Sequence, residues 1–449
     1  MTSTTGQSGL NRGGHTTSRK TVLIVSPRFP PTNAADMHRV RHSLPHFRDF
    51  GWEATVLAVD PARVEGEREE RLCDTYPSNA DVRRVDALPQ EWTRRIKVSN
   101  LALRAFPYYL QQGSSIIRRE DIDLVYFSTT AFPILALGRY WKLRFGTPYV
   151  IDMQDPWYSG THDPDEAPAL FSKAWLARQL SRVLEPITME GVDGLISVSQ
   201  GYCDILQSEY NRIRSSMCEV IPFGAAQKDF EVLQEREVDN SIFDSGDGRT
   251  HVVQVGRAGP DMDRAAHCLF GALANGREEH PDLYENVHLH FVGTRYSPQA
   301  PKTMEPIAEE YGVSDHVHEQ VARVPYFQAL QLLRDADMLM LLGSTDLNYT
   351  ASKLYPYILA RRPLLTVFHE NSSVVDITRE TGAGTVVTYD NKVDTTAVGS
   401  EVEGVWSSML ERLPYTPDTD WDAFQPYTAE AMTRRQVEVF ERVLSSESR

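Results

Sequence analysis

Apolar strand-like segments alternate with amphipathic segments along most of the chain. From Thr21 the order is the apolar run TVLIVS, a proline-rich loop, the helix-like segment MHRVRHSLPHFRDF and the apolar run EATVLAV. Further strands of the buried type are predicted at 124–128, 148–153, 194–199 and 219–223. Strands that alternate with helices form parallel sheets covered on both faces, so the pattern predicts an α/β, doubly wound (Rossmann-like) domain over residues 21–224.

The same pattern begins again after a polar, acidic, turn-rich stretch at 225–250, which is predicted to be a linker. Strands are predicted at 251–255, 287–293, 338–342, 364–368 and 385–389, which defines a second Rossmann-like domain over 251–425. The segment 426–449 has helical spacing of apolar residues and is expected to pack back toward the first domain. Ligands bind beyond the carboxyl ends of parallel strands, so the cleft between the domains is the expected site.

Composition narrows the class of partner. The chain has 46 Lys and Arg against 62 Asp and Glu, a net charge of −16, which disfavours nucleic acid. Its four cysteines form no C-x-x-C pair, so a cytoplasmic location without a disulfide or thiolate metal site is expected. Residues 1–20 are rich in Ser, Thr and Gly and are predicted to be a disordered tail, and no apolar run reaches the length of a membrane span.

Two common nucleotide-binding motifs are missing. The loop after TVLIVS reads PRFPPTNAAD and contains no glycine, so it does not provide the close pyrophosphate approach of G-x-G-x-x-G. The chain also lacks G-x-x-x-x-G-K-[ST]. A nicotinamide dehydrogenase and a P-loop kinase or ATPase are therefore disfavoured.

Candidate phosphate-binding residues lie in the second half. Arg257 follows the strand HVVQV, and Arg264 lies in the next helix; a solvated surface arginine is the alternative interpretation of Arg257. A hydroxyl-rich turn with Thr350 and Ser352, followed by Lys353, is predicted to open a helix and bind a diphosphate. The next strand ends at His369 and Glu370, and Ser372 and Ser373 either face a second anion or only cap a helix.

The order of several short motifs resembles one family of enzymes. The segments VLIVSPRFPP, PYVIDMQDPW, GVDGLISVS, VGRAG, HFVGT, GVSDHVHEQ, ADMLMLLGS and SKLYPYILARRPLL resemble the group 1, family 4-like bacterial sugar transferases of the GT-B fold. The resemblance extends over residues 20–445. It implies two facing Rossmann-like domains, with the acceptor in the first and a nucleoside diphosphate sugar in the second.

The resemblance also implies roles for individual residues. The basic residue of the family after the first strand of the second domain falls on Arg257, with Arg264 nearest to the second cation, and the lysine that opens the donor helix falls on Lys353. No metal or other cofactor is implied. The glutamate that grips the ribose falls on Pro356, so the identity of the nucleotide is open; Glu370 or Asp346 are the candidate substitutes.

The sequence also indicates candidate residues on the acceptor side. Asn33 and Arg39 are predicted acceptor-side contacts, and His38 is a predicted catalytic or phosphate contact near the start of a helix. Asp155 follows the strand YVIDM and is the candidate base or acceptor-orienting group, with a helix-capping role as the alternative and Asp152 as a rival. The i, i+4, i+8 spacing of His38, His42 and His46 permits a zinc site, but Pro45 and the absence of a completing ligand disfavour it.

Basic and aromatic residues are mixed between 91 and 120, which predicts either a peripheral contact with an anionic membrane or a helical hairpin packed on the sheet. The function predicted is transfer of a sugar from a nucleoside diphosphate sugar to a glycan, lipid-linked or small-molecule acceptor, with retention and without metal. The alternatives are a non-catalytic nucleotide-sugar-binding module in a glycan-assembly complex, and a nucleotide-sugar epimerase or hydrolase.

Overall fold

The structure is a computed structural model that describes residues 19–95, 100–157, 172–236, 238–295, 297–345, 352–390, 392 and 394–447. Residues 1–18 of the predicted tail, Asp346 and Thr350 lie outside the described residues.

Two parallel sheets form the centres of two domains. The first has the strand order β3-β2-β1-β4-β5-β6-β7 and the second the order β10-β9-β8-β11-β12-β13. The predicted α/β fold with two doubly wound domains is thus confirmed. The first sheet consists of β1 Lys20–Val25, β2 Trp52–Val59, β3 Asp81–Val85, β4 Leu124–Ser128, β5 Tyr149–Met153, β6 Gly194–Ser197 and β7 Cys218–Val220. The second consists of β8 Thr250–Val255, β9 Val287–Val292, β10 Val317–Gln320, β11 Met338–Leu342, β12 Leu364–His369 and β13 Thr385–Tyr389.

Helices cover both faces of the two sheets. In the first half they are α1 His38–Ser43, α2 Gln90–Arg95, α3 Leu101–Arg119, α4 Ala136–Phe145, α5 Lys173–Met189, α6 Gln200–Glu209 and α7 Gln227–Glu235. In the second half they are α8 Asp263–Glu279, α9 Pro281–Tyr284, α10 Met304–Glu310, α11 Tyr326–Asp335, α12 Leu354–Leu359, α13 Ser373–Thr381, α14 Thr395–Leu410, α15 Trp421–Phe424 and α16 Ala429–Glu447. The central strands are buried along nearly their whole length, as expected for a sheet covered on both faces.

Strand order reverses at β1 and β4 in the first sheet and at β8 and β11 in the second. Loops that leave such neighbouring strands in opposite directions open a crevice at the carboxyl edge of the sheet. The two crevices face one another across the domain boundary, where residues of both domains line one cavity.

The stretch predicted as a linker contains α7. Its Asp229 and Leu233 are buried, so this part of the connection is packed between the domains. The stretch also contains an exposed turn at 244–248.

The final helix, α16, packs on the N-terminal sheet. The ring of Phe440 lies 5.3 Å from that of Trp52 and 5.1 Å from that of Tyr126, centroid to centroid. Where the chain returns to this domain it pairs with the outgoing connection: the Ala225 N–H donates to the Tyr427 carbonyl at 2.8 Å, and the Ala429 N–H to the Ala225 carbonyl at 2.9 Å. The two segments that join the domains are therefore hydrogen-bonded to each other.

None of the helices in the described ranges combines the length and the apolar character that crossing a membrane requires.

Candidate functional site

A cavity of about 490 Å³ lies between the two domains. The N-terminal domain contributes Asn33, His38 and His42, and the connection contributes Phe223 and Phe230. The charged lining residues of the C-terminal domain are Arg257, Arg323 and Lys353. The described lining residues include no aspartate or glutamate, so this end of the cavity is electropositive and suited to an anion.

Lys353 immediately precedes α12 and its side chain passes directly over Gly256. A Cβ at Gly256 would lie 2.6 Å from the Lys353 Cε, and Gly256 has φ of +116°, which side-chain-bearing residues rarely adopt. Both features require glycine at this position. Burial, followed by the charges of Arg323 and Arg257, lowers the pKa of Lys353 to about 7. No described carboxylate forms an ion pair with Lys353, so a bound anion would relieve this repulsion.

Arg257 is oriented by Asp261. Its Nη1 donates to Asp261 Oδ2 at 2.9 Å, and Nη2 is also bonded to that carboxylate. Burial opposes ionisation of Asp261, but hydrogen bonds from Ser344 and Arg257 lower its pKa overall. Asp261 thus fixes the guanidinium at the cavity wall and partly compensates its charge, which leaves Lys353 as the less compensated cation.

Arg323 is a lining residue that the sequence analysis did not single out. It follows β10, the edge strand that the apolar pattern also missed. Gly293, at the end of the neighbouring strand β9, has φ of +74° and a Cβ there would lie 3.5 Å from the Arg323 Cα. The positive charge near the C-terminal wall therefore comes from three separate loops.

His38 lines the cavity as a neutral imidazole. Burial, followed by the charge of Arg41, lowers its pKa well below the usual value. Its Nδ1 lies 2.9 Å from Arg41 Nη2, and because arginine can only donate, Nδ1 accepts and the proton is on Nε2. The predicted catalytic role of His38 is thereby restricted to donating a hydrogen bond from Nε2, since its basic nitrogen is already engaged.

The prediction that Arg39 contacts an acceptor is corrected by its position. Arg39 is 2% exposed, and its Nε donates to Asp152 at 2.7 Å while its Nη2 donates to the Ile221 carbonyl at 2.6 Å. Ser128 and Gln154 donate to the same Asp152 carboxylate oxygen as Arg39. Arg39 and Asp152 form a buried ion pair that ties α1 to β5, and neither lines the cavity.

Asp155 is exposed and does not line the cavity. Partial removal from water, followed by repulsion from Asp36, raises its pKa. A raised pKa favours general acid–base chemistry, but the position outside the cavity does not bring this carboxylate to the residues that line it.

The other predicted site residues, on the donor and on the acceptor side, are divided between the cavity and its surroundings. Ser352 lines the cavity and Asn33 does so on the opposite side, with its Nδ2 3.4 Å from Glu69 Oε2. Arg264 instead lies beside Tyr389, 6.0 Å from the ring centroid. Arg264, Glu370, Ser372 and Ser373 are absent from the described lining of the cavity.

Two details of the predicted phosphate cradle are corrected by the helix boundaries. Helix α12 begins at Leu354, after the predicted hydroxyl turn, and has six residues, so its dipole is small. Ser372 Oγ accepts from the Val374 N–H at 3.3 Å, which makes it the cap of α13. Ser372 therefore caps α13, which was the alternative interpretation of this residue. The positive potential in the cavity comes mainly from the cationic side chains.

A buried network joins the domains below the cavity. Arg41 of α1 and Asp229 of α7 form a bidentate ion pair, and the Tyr326 hydroxyl at the start of α11 donates to Asp229 Oδ2 at 2.5 Å. Arg41 and Asp229 are 0% and 1% exposed at their side chains. Glu69 adds a second link, because it accepts from the backbone N–H groups of Tyr326 at 2.8 Å and Phe327 at 2.9 Å. We call Arg41, Asp229 and Tyr326 the interdomain network.

Comparison with known proteins agrees with this geometry. Residues 38–224 match the family described as a glycosyl transferase 4-like domain. A search of the curated proteins finds no match for the chain.

Solved structures are similar over almost the whole chain. The HepE protein of Anabaena, in complex with UDP and glucose, is 15% identical with a TM-score of 0.54 over 94% of this chain and 100% of that chain. Sucrose-phosphate synthase of Thermosynechococcus elongatus is 13% identical with a TM-score of 0.55, over 95% and 100% of the two chains. The N-terminal domain of trehalose-6-phosphate phosphatase of Candida albicans is 15% identical with a TM-score of 0.58, over 95% and 97%.

The resemblance noted in the sequence is thus confirmed at the level of the fold. The chain has the GT-B fold, and its residues 38–224 match the glycosyl transferase 4-like domain.

Proposed function

We propose that the protein transfers a sugar from a nucleoside diphosphate sugar to an acceptor hydroxyl in the interdomain cavity. The observation that carries this proposal is the group of three cations, Arg257, Arg323 and Lys353, on the C-terminal wall of a cavity whose described lining has no carboxylate. The UDP and glucose bound by HepE, a protein of the same fold, support a nucleoside diphosphate sugar as the ligand.

The chemistry follows from where charge develops. Cleavage of the bond between the sugar and the diphosphate leaves negative charge on the departing phosphate oxygens, and fixed cations at that point stabilise the transition state more than the ground state. Arg257, already oriented by Asp261, and Lys353, held over Gly256, would provide this stabilisation. In this proposal the side-chain cations fill the role that a divalent metal fills elsewhere.

The acceptor must also lose a proton. No described carboxylate lines the cavity, and His38 has its basic nitrogen occupied by Arg41. The departing phosphate oxygen is then the available proton acceptor, which places the acceptor and leaving group on the same face of the sugar and supports the proposed retention of configuration. Asn33 and the His38 Nε2–H would position the acceptor or the sugar.

The first test is a thermal-shift screen with UDP, GDP, TDP, ADP and CDP and their common sugar conjugates. A ligand at about 100 times its Kd should stabilise the folded protein by about 2.7 kcal/mol. We expect one nucleotide to raise the melting temperature, and its sugar conjugate to raise it as well. A screen in which none of these compounds shifts the melting temperature would contradict a donor site in this cavity.

Replacing Asp155 by asparagine is expected to leave the rate of sugar transfer within about threefold of wild type, because the side chain lies outside the cavity. Loss of a general base would instead lower the rate by about 10²-fold or more. The measurement is the initial rate with the donor identified above, and the product anomer is determined by NMR. A loss of 10²-fold or more, with unchanged donor binding, would make Asp155 the base and favour inversion.

Gly256→Ala is expected to lower the melting temperature and to remove most of the stabilisation by UDP, because the new methyl group would displace the Lys353 side chain. The matched control is Gly404→Ala in α14, where no atom lies within 4 Å of the added methyl, and which is expected to be neutral or slightly stabilising. Unchanged UDP binding in Gly256→Ala would show that the position of Lys353 is not required.

A second candidate is a nucleotide-sugar-binding module without transferase activity. Pro356 lines the cavity at the position where the resembling family has a ribose-gripping glutamate, and it offers no side-chain hydrogen bond to a sugar hydroxyl. Donor binding without turnover under any acceptor would favour this candidate. Consumption of the donor without an acceptor would instead favour an epimerase or hydrolase.

A further inference from the structure

Exposed apolar side chains are concentrated on two helices of the N-terminal domain. Of the seven large hydrophobic residues that are exposed in the described part of the chain, five lie on α4 or α5. On α4 these are Tyr140 at 44% and Leu143 at 72%; on α5 they are Leu176 at 42%, Val183 at 57% and Ile187 at 48%. Single exposed apolar residues are common, but this concentration on neighbouring elements is not.

The two helices pack against each other, so their outer faces adjoin. The Lys142 Nζ of α4 donates to the Gly191 carbonyl, just beyond the end of α5, at 3.2 Å. A Cβ at Gly191 would lie 2.5 Å from the Arg139 Cδ, which shows how closely the elements approach. Trp141 of α4 and Thr188 of α5 are 0% exposed and form the inner faces. The exposed apolar residues therefore lie on one outer surface, which we call the α4–α5 face.

The α4–α5 face is also basic, although the chain has a net charge of −16. In sequence, helices α4 and α5 contain six basic residues, Arg139, Lys142, Arg144, Lys173, Arg178 and Arg182. Their one acidic residue, Glu185, is 1% exposed, and the C-cap of α5 adds one exposed carboxylate, Glu190. Lys142 pairs with Asp193, whereas Arg144 and Arg182 are exposed.

We propose that the α4–α5 face binds the surface of an anionic lipid membrane. Apolar side chains interleaved with arginines on a helix surface allow shallow insertion while the cations contact lipid phosphates. Two copies of this chain would bring two positive faces together, which disfavours self-association through the same surface. Elsewhere the acidic chain is repelled by anionic lipid, so this charge distribution fixes the orientation in which the protein approaches.

The segment 91–120, for which the sequence predicts either a membrane contact or a helical hairpin packed on the sheet, differs from this face. Its Arg104 is buried and donates to the Leu88 carbonyl at 2.8 Å, and the Tyr109 hydroxyl donates to the Leu57 carbonyl at 3.1 Å. These contacts anchor α3 on the sheet. Arg118 and Arg119 remain exposed at the end of α3 and provide a matched control for loss of charge.

The test is flotation of the full chain with vesicles of phosphatidylcholine alone or with about 30% phosphatidylglycerol, at low and at physiological salt. We expect binding to the anionic vesicles and not to the neutral ones. Arg144→Gln with Arg182→Gln should weaken the partition coefficient about 30-fold. Leu143→Gln with Ile187→Gln should weaken it about tenfold, and Arg118→Gln with Arg119→Gln should stay within about twofold of wild type.

The assay contains neither donor nor acceptor, so its outcome is independent of the transferase activity. Three results would overturn the proposal: no binding of wild type to anionic vesicles at low salt, equal loss in the α3 control, or unchanged binding in both α4–α5 variants. Melting temperatures within about 2 °C of wild type establish that the variants are folded. Vesicle-independent dimerisation that is lost in the Leu143 and Ile187 variant would assign the face to a second copy instead.

Discussion

Lys353→Met is expected to reduce the affinity for UDP by about 10- to 100-fold and kcat/KM by about 10²–10³-fold, because it removes a cation from the proposed diphosphate site. The stabilisation by UDP at 100 times the wild-type Kd should fall from about 2.7 to about 1 kcal/mol. Without ligand the variant should melt higher than wild type by about 2–6 °C, since the half-buried ammonium is partly desolvated and is repelled by Arg323 and Arg257. Titration calorimetry and thermal melts measure both effects.

The affinity for UDP should also depend on pH, because the charge of Lys353 does. Burial and the charges of Arg323 and Arg257 lower the pKa of Lys353 to about 7, so the side chain is charged below pH 7 and increasingly neutral above it. Diphosphate binds the charged form, so above pH 7 binding must take up a proton. The affinity should then fall by up to about tenfold per pH unit as pH rises above 7, and be nearly constant just below 7.

Two variants serve as controls for Lys353. Lys353→Arg keeps a charge that does not titrate in this range, so its UDP affinity should lose the pH dependence above pH 7. Lys302→Met removes an exposed lysine that pairs with Glu305, and should change neither the affinity nor the melting temperature by a measurable amount. Wild-type affinity in Lys353→Met would exclude this lysine from the donor site.

Asp229→Asn is expected to destabilise the protein by about 3–5 kcal/mol, because it leaves the buried Arg41 without its counter-charge. The pKa of Asp229 is lowered although burial opposes this, owing to the charge of Arg41, so the ionised carboxylate is the form that the fold stabilises. Urea denaturation of wild type and variant at pH 7 measures the free energy difference.

The same helix offers a matched control for Asp229. Glu231→Gln breaks an exposed pair with Lys228 on α7 and should cost no more than about 0.5 kcal/mol. Tyr326→Phe removes one hydrogen bond to Asp229 and should cost about 1.5–3 kcal/mol. If Asp229→Asn costs no more than Glu231→Gln, the interdomain network does not hold the two domains together.

The central strands could be predicted because their signal is local. Strands β4 and β11 occupy the predicted residues, since a strand buried on both faces is an almost unbroken apolar run. Strand β3 reads DVRRV and has one buried residue, Val85, because an edge strand keeps a solvated side, and the apolar pattern therefore misses it.

The candidate site could be predicted from the sequence only where its residues lie in local motifs. Lys353 and Arg257 are recognisable because each follows a buried strand in a familiar order of motifs. The pairing of Arg41 with Asp229 joins residues 188 positions apart, and no local pattern indicates it. Arg39 illustrates the opposite error: its place near the start of a helix suggests a role in the cleft, but its partner Asp152, on a distant strand, holds it in the core.

The return of the chain to its first domain determines when that domain can be completed. Phe47, Trp52 and Tyr126 are buried partly by Phe440, so this apolar surface stays uncovered during synthesis until the residues of α16 have emerged. The second domain, although made later, has all of its strands before α16 and can close first. The chain is therefore most vulnerable to misassembly while this sheet is still exposed during synthesis. Fragments that end before Ala429 should be poorly soluble for the same reason.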